Sequence, residues 1–286
     1  MFSYFHFVVI IVPIFRGRMK LFAALSLLLS VALPPVTSIR SGRISNGGAA
    51  APSDFPSAVG LLISGSSNHV FCGGVLISTR FILTSARCVS GRNTITVLAG
   101  ASDMTELVEI IQVLSIPSHI TIHPNYNSLG HRNDVAILRL SRPATVGRHV
   151  AIANLPRRYH TIFTFNGWNS TIVGWGTTGN RDNEPLPLRN LLVAHGLVIT
   201  NLLCGLSHTF IRDEHICTGT DDGGPCDGDE GGPVYAEVDG EKIVIGIHSF
   251  HYSGIGGCDR GRSAVNTRLT EYLDWIQANT DVQIRN

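Results

Sequence analysis

The run Cys226–Pro233, which reads Cys-Asp-Gly-Asp-Glu-Gly-Gly-Pro, has the residue types of a catalytic loop. Glycines on both sides of Glu230 let the backbone approach a ligand closely and adopt dihedral angles that other residues avoid. Successive backbone N–H groups in such a turn can form a nest that binds anions. The sequence therefore predicts a loop that holds one central position, here Glu230, against backbone donors.

Composition and cysteine usage indicate which partners and cofactors the chain can bind. The chain has 286 residues and a formal net charge of +1, with no dense Lys/Arg block outside its extreme N-terminus, so we expect no nucleic-acid partner. Its six cysteines favour disulfides and an oxidising compartment. Because no Cys-x-x-Cys pair occurs and the histidines lack metal-motif spacing, we expect no metal and no cofactor. His248 and His251 are expected to pack rather than to bind metal.

The N-terminus has the pattern of an export signal. Two apolar runs, Phe2–Phe15 and Leu21–Leu33, are separated by basic residues, and each is shorter than the ~20 residues that span a bilayer. Met19 followed by the second run and a small-residue stretch reads as a complete signal peptide. We therefore expect residues 1–38 to be a signal segment whose functional start is Met19. An N-terminal membrane anchor is the alternative.

The rest of the chain has a β-strand pattern. Short runs of Val, Ile, Leu and Thr alternate with Gly, Pro, Asn and Ser. A helical period occurs only near the end of the chain, at Leu269, Tyr272, Leu273 and Ile276. The pattern predicts an all-β sandwich or barrel with a C-terminal helix. Examples of the expected strands are Ala58–Ser64, Val70–Ser78, Phe81–Ser85, Thr94–Ala99, Val108–Ile116, Val135–Leu140, Thr171–Trp175, Leu192–Val198, Val234–Val238 and Lys242–His248.

Several motifs, in order along residues 44–286, resemble the trypsin/chymotrypsin family of serine peptidases. The loop at Glu230 is similar to that family's Gly-Asp-Ser-Gly-Gly-Pro, with glutamate in place of the serine. The other matching motifs are Phe71–Ile77, Leu83–Cys88, Asn133–Leu138, Gly174–Gly176 and Trp275–Ile276. The resemblance implies two packed six-stranded antiparallel Greek-key barrels, with the site in the cleft between them. It also implies the disulfides Cys72–Cys88, Cys204–Cys217 and Cys226–Cys258.

The resemblance places the three catalytic positions at Arg87, Asp134 and Glu230. In this chemistry a serine attacks the carbonyl, a histidine takes its proton and a buried aspartate orients the histidine. Only Asp134 is retained, because Arg87 stands at the histidine position and Glu230 at the serine position. The N–H groups of Gly228 and Glu230 occupy the oxyanion-hole positions, where the Glu230 carboxylate is placed to fold across them. We therefore expect a degenerate triad with no functional catalytic residue.

The charges of Arg87 and Glu230 are complementary to each other, and Arg87 can also balance the charge of Asp134. A buried Asp134 without a partner would cost several kcal/mol. A guanidinium can pair with one carboxylate through two hydrogen bonds and still reach another. We therefore expect an ionic triad, Asp134–Arg87–Glu230. The alternative is that Arg87 extends into solvent and Glu230 is hydrated by itself.

An activation junction is expected where Arg43 meets Ile44. An Arg–Ile bond before Gly47-Gly48 is an exposed, cleavable connection. In the family, cleavage frees the Ile amine, which pairs with the aspartate just before the nucleophile, here Asp229. We therefore expect residues 39–43 to be a short propeptide and residues 44–286 to be the peptidase-like domain. Processing without an activating role is the alternative.

The specificity pocket is also altered. By resemblance, Gly224 stands where trypsin has the aspartate that binds an arginine side chain. Ser249 begins the edge that pairs with a substrate backbone, His251 replaces the edge glycine and could obstruct it, and Ala264 replaces a wall glycine. Separately, Asn169-Ser170-Thr171 is an acceptor sequence for N-glycosylation.

Together these residues predict a secreted, inactive serine-peptidase homologue that binds an extracellular protein as a cascade cofactor, a decoy or a recognition module. We expect a monomer that has no membrane segment once the signal is removed. Two enzymatic alternatives are unconventional chemistry at Glu230 and a peptidase that recruits another serine.

Overall fold

The computed structural model describes residues 48–64, 69–92, 94–100, 103–104, 112–114, 119–177, 190–220, 223–251, 253–254, 257–258 and 262–286. All of them belong to the unit Arg40–Asn286. The predicted signal segment, the propeptide and the junction of Arg43 with Ile44 lie outside the described residues.

The described residues form mainly short strands joined by turns. In chain order the strands are β1 (Gly48–Ala49), β2 (Ala58–Ser64), β3 (His69–Leu76), β4 (Phe81–Thr84), β5 (Thr94–Ala99), β6 (Gln112–Leu114), β7 (His119–Ile122), β8 (Ala136–Arg139), β9 (Asn169–Gly174), β10 (Leu192–Ile199), β11 (His215–Thr218), β12 (Pro233–Val238), β13 (Glu241–Phe250), β14 (Ser253–Gly254), β15 (Gly257–Cys258) and β16 (Ala264–Arg268). The α-helices are α1 (Ala86–Val89), α2 (Asn201–Cys204) and α3 (Leu273–Asn279). Three 3₁₀ turns lie at Pro52–Asp54, Arg158–Ile162 and Leu269–Glu271.

The first sheet has the strand order β6-β5-β2-β3-β4-β8-β7, and its pairs are antiparallel. Its two edge strands, β6 and β7, are consecutive in the chain and are separated only by residues 115–118. A connection of that length spans at most about 17 Å, so the two edges lie close together. When β6 and β7 are counted together, this barrel has six strand positions.

The second sheet closes directly. Its order is β1-β10-β11-β16-β13-β12-β9, and an additional pairing joins β9 to β10. This pairing makes a ring of six antiparallel strands, with β1 attached to β10. The predicted all-β fold of two six-stranded antiparallel barrels is therefore confirmed.

Apolar residues fill each barrel and the region between them. Val59, Leu61 and Ile63 of β2 are fully buried in the first barrel, and Ile245 of β13 is fully buried in the second. A third cluster contains residues of both barrels, among them Phe71, Val75, Val173 and Tyr235. Burying one large apolar side chain stabilises the folded state by about 1.5–3 kcal/mol. This third cluster fixes the position of one barrel against the other, and with it the geometry of the cleft.

The predicted strands cover most of the longer strands, but they do not include β1, β7, β11, β14, β15 and β16. All five residues of β16 are buried, although Asn266, Thr267 and Arg268 are polar. Their polarity hides the strand in the sequence, because the compensating hydrogen bonds come from distant segments. The Asn266 side-chain amide, for example, donates to the Ile216 carbonyl at 3.0 Å.

The C-terminal helix begins later than the apolar period predicts. Leu269–Glu271 forms a 3₁₀ turn, and Tyr272 has a non-helical backbone (φ −119°, ψ 6°). The α-helix runs over Leu273–Asn279. The four apolar residues of the predicted helix are therefore divided. Leu269 lies in the 3₁₀ turn, Tyr272 is the irregular residue, and Leu273 and Ile276 lie in the α-helix.

The three disulfides pair as the resemblance implies. Cys72–Cys88 joins β3 to α1, and Cys204–Cys217 joins α2 to β11. Cys226–Cys258 joins the loop at Glu230 to β15. Each crosslink lowers the conformational entropy of the unfolded chain, by about 3 kcal/mol for a loop of ~15 residues. Two of them brace the segments that carry Arg87 and Glu230.

The two barrels approach most closely where glycines meet. A Cβ atom at Gly73 would lie 2.6 Å from the Gly232 Cα. Gly231 has φ +83°, and a Cβ atom there would lie 2.2 Å from Thr84 Oγ1 and 2.4 Å from the Gly73 carbonyl oxygen. Only glycine satisfies both the dihedral angle and the contact at position 231.

We expect Gly231→Ala to lower the free energy of unfolding by more than about 3 kcal/mol, from left-handed backbone strain together with the steric clash. Gly240→Ala is the matched control, because Gly240 has φ +74° but nothing within 4 Å of its Cβ direction. The control should cost about 1 kcal/mol. Urea unfolding measures both, and equal losses would contradict the close contact.

Candidate active site

The loop Cys226–Gly232 is held by backbone hydrogen bonds from both barrels. Gly231 N–H donates to the His248 carbonyl at 2.8 Å, and His248 N–H donates to the Gly232 carbonyl at 2.8 Å. From the first barrel, Gly73 N–H donates to the Glu230 carbonyl at 2.7 Å. These contacts place the Glu230 side chain at the junction of the barrels.

The Glu230 carboxylate lies against Gly228 N–H, which the resemblance assigns to the oxyanion hole. Its Oε2 accepts a hydrogen bond from Gly228 N–H at 2.9 Å, and the residue is 9% exposed. Gly228 has φ +100°, a conformation that turns its N–H toward this carboxylate. A backbone donor that would stabilise a developing oxyanion is therefore occupied by an anion of the protein itself.

Arg87 lies on α1 and extends along the cleft. Its Nη1 donates to the Ser249 carbonyl at 2.9 Å and lies 3.8 Å from Glu230 Oε1, while its side chain is 35% exposed. The guanidinium thus covers a backbone acceptor near the end of β13 and pairs loosely with the Glu230 carboxylate.

Asp134 is fully buried at the base of the site. Its carboxylate accepts hydrogen bonds from the Ser249 hydroxyl at 2.6 Å and from Arg87 N–H at 2.8 Å. Burial raises its pKa to about 6, and these hydrogen bonds act in the opposite direction.

The predicted ionic triad is therefore only half present. Arg87 approaches Glu230, but its guanidinium makes no ion pair with Asp134; it contacts that carboxylate through its backbone N–H instead. The reason is that the Ser249 hydroxyl and α1 backbone donors already surround Asp134, so the guanidinium is directed to the Ser249 carbonyl. The alternative, Arg87 in solvent and Glu230 hydrated by itself, does not hold either.

The specificity-pocket positions are closely packed. Gly224 is buried, and a Cβ atom there would lie 2.5 Å from the Thr220 methyl carbon. Ala264 is fully buried in β16 opposite Thr218. The sequence did not single out Thr220, whose hydroxyl donates to the Arg262 carbonyl and so links two walls of this region.

His251 does not block the edge as expected. Its Nδ1 lies 3.3 Å from His248 Nε2, and its Nε2 lies 3.4 Å from Asp227 Oδ1. The ring also contacts the Cys226–Cys258 disulfide, with Nε2 3.4 Å from Cys258 Sγ. The imidazole therefore packs against the loop at Glu230, and it is Arg87 that covers the edge.

His248 and Asn266 form a buried polar pair that the motifs did not reveal. Both are fully buried, and His248 Nδ1 lies 3.1 Å from Asn266 Oδ1. A histidine that ends an otherwise apolar strand run is the signal that could have found this pair. Among the described residues, one group has the spacing of metal ligands, namely Cys226, His251 and Cys258, and its two sulfurs are bonded to each other.

Asp229 is buried and packs tightly against Gly174 and Gly176. Its carboxylate accepts hydrogen bonds from Gly176 N–H at 2.8 Å and Cys226 N–H at 2.9 Å. A Cβ atom at Gly176 would lie 2.5 Å from the Asp229 Cγ, which explains the glycine there. Burial raises the pKa of Asp229 to about 7, and the nearby Glu230 charge acts in the same direction. These two N–H groups are its side-chain hydrogen-bond donors within the described part of the chain.

The two barrels, with Asp134 and the loop at Glu230 between them, define a double-barrel fold of the serine-peptidase type. The chain belongs to the trypsin family, whose family model, described as Trypsin, matches residues 44–276. Arg87, Asp134 and Glu230 all lie within this matched region.

Relatives named as peptidases are similar along most of the chain. Serine protease 1 of Drosophila melanogaster is 36% identical over 251 residues, which is 87% of this chain and 89% of that protein. Brachyurin of Leptuca pugilator is 33% identical over 241 residues, which is 84% of this chain and 99% of that protein. Among solved structures, HL collagenase superposes with a TM-score of 0.73 and 30% identity, covering 83% of this chain and 99% of that chain.

We expect Asp229 to lower the stability of the uncut chain as the pH rises from about 4 to about 7. Asp229 binds its proton more tightly in the folded state, where its pKa is about 7, than in the unfolded state, so deprotonation favours unfolding. Between pH 5 and 7.5 this group accounts for a loss of about 2.5 kcal/mol. Asp229→Asn should remove that part of the pH dependence in urea unfolding. Asp274→Asn, at an exposed carboxylate, should leave it unchanged.

Cleavage after Arg43 provides the complementary measurement. If the freed Ile44 amine pairs with Asp229, the cut chain should keep its stability at neutral pH, because the ion pair stabilises the charged carboxylate. The same pH dependence in cut and uncut chains would contradict the predicted pairing of Ile44 with Asp229.

Proposed function

We propose that this chain is a secreted, catalytically inactive member of the trypsin family that acts by binding another extracellular protein. One observation carries the proposal: the Glu230 carboxylate accepts the Gly228 N–H, and the Arg87 guanidinium covers the Ser249 carbonyl. A peptide substrate of the family would use both backbone groups. Here they are satisfied by side chains of the protein itself.

The replaced side chains cannot perform the chemistry. A guanidinium has a pKa above ~12 and no acceptor atom, so Arg87 cannot take a proton from a nucleophile at neutral pH. Attack by the Glu230 carboxylate on a peptide carbonyl would give an anhydride. Loss of the serine or the histidine from such a triad lowers kcat by about 10⁶.

The filled hole adds an electrostatic barrier. Removing one oxyanion-hole donor costs about 10²–10³ in kcat. In this chain the Gly228 donor is engaged by a carboxylate, and a developing oxyanion would meet a like charge at the same place. Restoring activity therefore requires removing the Glu230 carboxylate as well as supplying a nucleophile and a base.

The same contacts favour one kind of binding role. A decoy for inhibitors that bind as substrates do would need a free Ser249 carbonyl and an open hole. Because Arg87 and Glu230 occupy both, the proposal favours a cascade cofactor or recognition module whose partner contacts surfaces outside the cleft.

Secretion and processing complete the proposal. The signal-like N-terminus and three disulfides support an extracellular location. None of the described helices has the length and apolar character needed to cross a bilayer. Asn169 is exposed at the start of β9, which supports its N-glycosylation. We propose a monomer in which the junction at Arg43 is cut and Ile44 pairs with Asp229.

A second candidate function is a peptidase that uses Ser249, since its hydroxyl donates to Asp134 at 2.6 Å. Burial weighs against it, because Ser249 is fully buried and a substrate carbonyl would have no path to the hydroxyl. Ser249→Ala decides between the two candidates in any preparation that shows turnover.

We expect the Arg43-cut protein to show neither labelling by a serine-directed phosphonate probe nor turnover of a peptide-substrate panel above a denatured control. The double variant Arg87→His/Glu230→Ser should regain measurable turnover, because Asp134 and the Gly228 donor remain in place. Each single variant should stay inactive, since it lacks either a base or a nucleophile.

Two results would contradict the proposal. One is turnover by the unmodified protein that Glu230→Ala or Ser249→Ala abolishes. The other is phosphonate labelling that matches an active serine peptidase assayed alongside. A double variant that stays inactive would instead place a further defect in the packed pocket around Gly224.

A further inference from the structure

Three histidines converge on one aromatic ring, that of Phe250 at the end of β13. The ring centroids of His131, His208 and His215 lie 4.7, 5.5 and 6.4 Å from that of Phe250. His131 lies between β7 and β8, His208 follows α2, and His215 begins β11. Since β7 and β8 belong to the first barrel and the other segments to the second, this histidine cluster ties the two barrels together.

Hydrogen bonds hold one of these imidazoles, that of His215, in the neutral form. Arg212 N–H donates to His215 Nδ1 at 3.1 Å, so that nitrogen must keep its lone pair. His215 Nε2 faces the His131 carbonyl at 3.3 Å, and His208 Nε2 faces the Ser263 carbonyl at 2.6 Å, so both carry hydrogen. A second proton on His215 would remove the acceptor for Arg212 N–H.

His131 is held under strain. It has φ +48°, in the left-handed region that non-glycine residues rarely adopt. Its Nδ1 is buried without a hydrogen-bond partner among the described residues. Such a conformation persists only where the surrounding contacts impose it, and here those contacts are Phe250 and His215.

The charges around the histidine cluster oppose proton uptake. Burial lowers the pKa of all three histidines, and neighbouring cations add to this effect. Among the charged groups that act on these three histidines, the one acid is Glu214, which makes a 2.7 Å ion pair with Arg132. Arg87 and His215 act on His131. Arg132 and Arg268 act on His215. Arg262 and His251 act on His208.

We propose that Phe250 and its three histidines form an acid-operated joint between the barrels: neutral imidazoles close it, and uptake of more than one proton opens the edge at Phe250. Phe250 follows Ser249, whose carbonyl binds Arg87, so opening would also loosen the contact that covers the cleft edge. The joint would make access to this surface depend on the pH of the surroundings. It does not depend on whether the chain hydrolyses peptides.

The direction in which stability changes with pH differs between the histidines of this joint and the buried carboxylates. Histidines with a lowered pKa contribute stability that is present above their unfolded value, about 6.5, and is lost as the pH falls. Asp134 and Asp229, whose pKa values are raised, act in the opposite direction over the same range. A local measurement at Phe250, compared between variants, is therefore needed.

Amide hydrogen exchange of residues 131–133 and 248–251 between pH 6.5 and 5, corrected for intrinsic rates, reports the local opening constant. One linked proton raises this constant by at most tenfold per pH unit, so the joint predicts a steeper rise. The variant His131→Gln/His208→Gln/His215→Gln cannot take up these protons and should show no such rise. His195→Gln, at an exposed histidine that bonds Thr171, should keep the original slope.

Single variants keep the proposal testable if the triple variant does not fold. His208→Gln and His215→Gln should each lower the slope by about tenfold per pH unit, the contribution of one proton. A slope of tenfold per pH unit or less in the original protein would overturn the proposal. A triple variant with an unchanged slope, or single variants as steep as the original protein, would also overturn it.

Discussion

The hydrogen bond from Gly228 N–H to the Glu230 carboxylate is the contact on which the state of the site depends. A loop of this kind concentrates backbone donors that favour an anion, and here the chain supplies the anion itself. A hydrogen bond to a charged group contributes about 1.5–3 kcal/mol, which offsets part of the cost of holding a carboxylate at 9% exposure. Arg87 stabilises the same charge from 3.8 Å. In the proposed function, these opposite charges close the cleft and exclude the family's chemistry.

The scaffold around this contact is that of the family, and its constraints are independent of catalysis. Gly231 and Gly73 bring the barrels into contact, and the Cys226–Cys258 disulfide braces the loop. Asp134 is buried and accepts a hydrogen bond from the Ser249 hydroxyl, so its carboxylate has a donor without a histidine beside it. A fold held in this way tolerates exchange of the catalytic side chains, because the barrel cores and crosslinks do not involve them.

Local patterns were enough for the strands that are continuous apolar runs, and β2 and β5 have the predicted boundaries. Motif order supplied what periodicity could not, namely two closed barrels and three disulfide pairs. The misses share a cause. Whether β16 is a strand, and whether Arg87 turns to Asp134 or to Ser249, depends on hydrogen bonds to distant segments. A sequence shows that a polar group needs a partner, but not which of several distant groups provides it.

The central claim is that the Glu230 side chain fills the donor position of the oxyanion hole. A scalar coupling across the hydrogen bond, from the Gly228 amide nitrogen to the Glu230 carboxylate carbon in ¹⁵N,¹³C-labelled protein, tests this most directly. The account predicts a resolved coupling and a Gly228 amide that exchanges slowly, and Glu230→Ala should abolish both. No coupling, together with a Gly228 amide that exchanges as fast in the unmodified protein as in the variant, would contradict it.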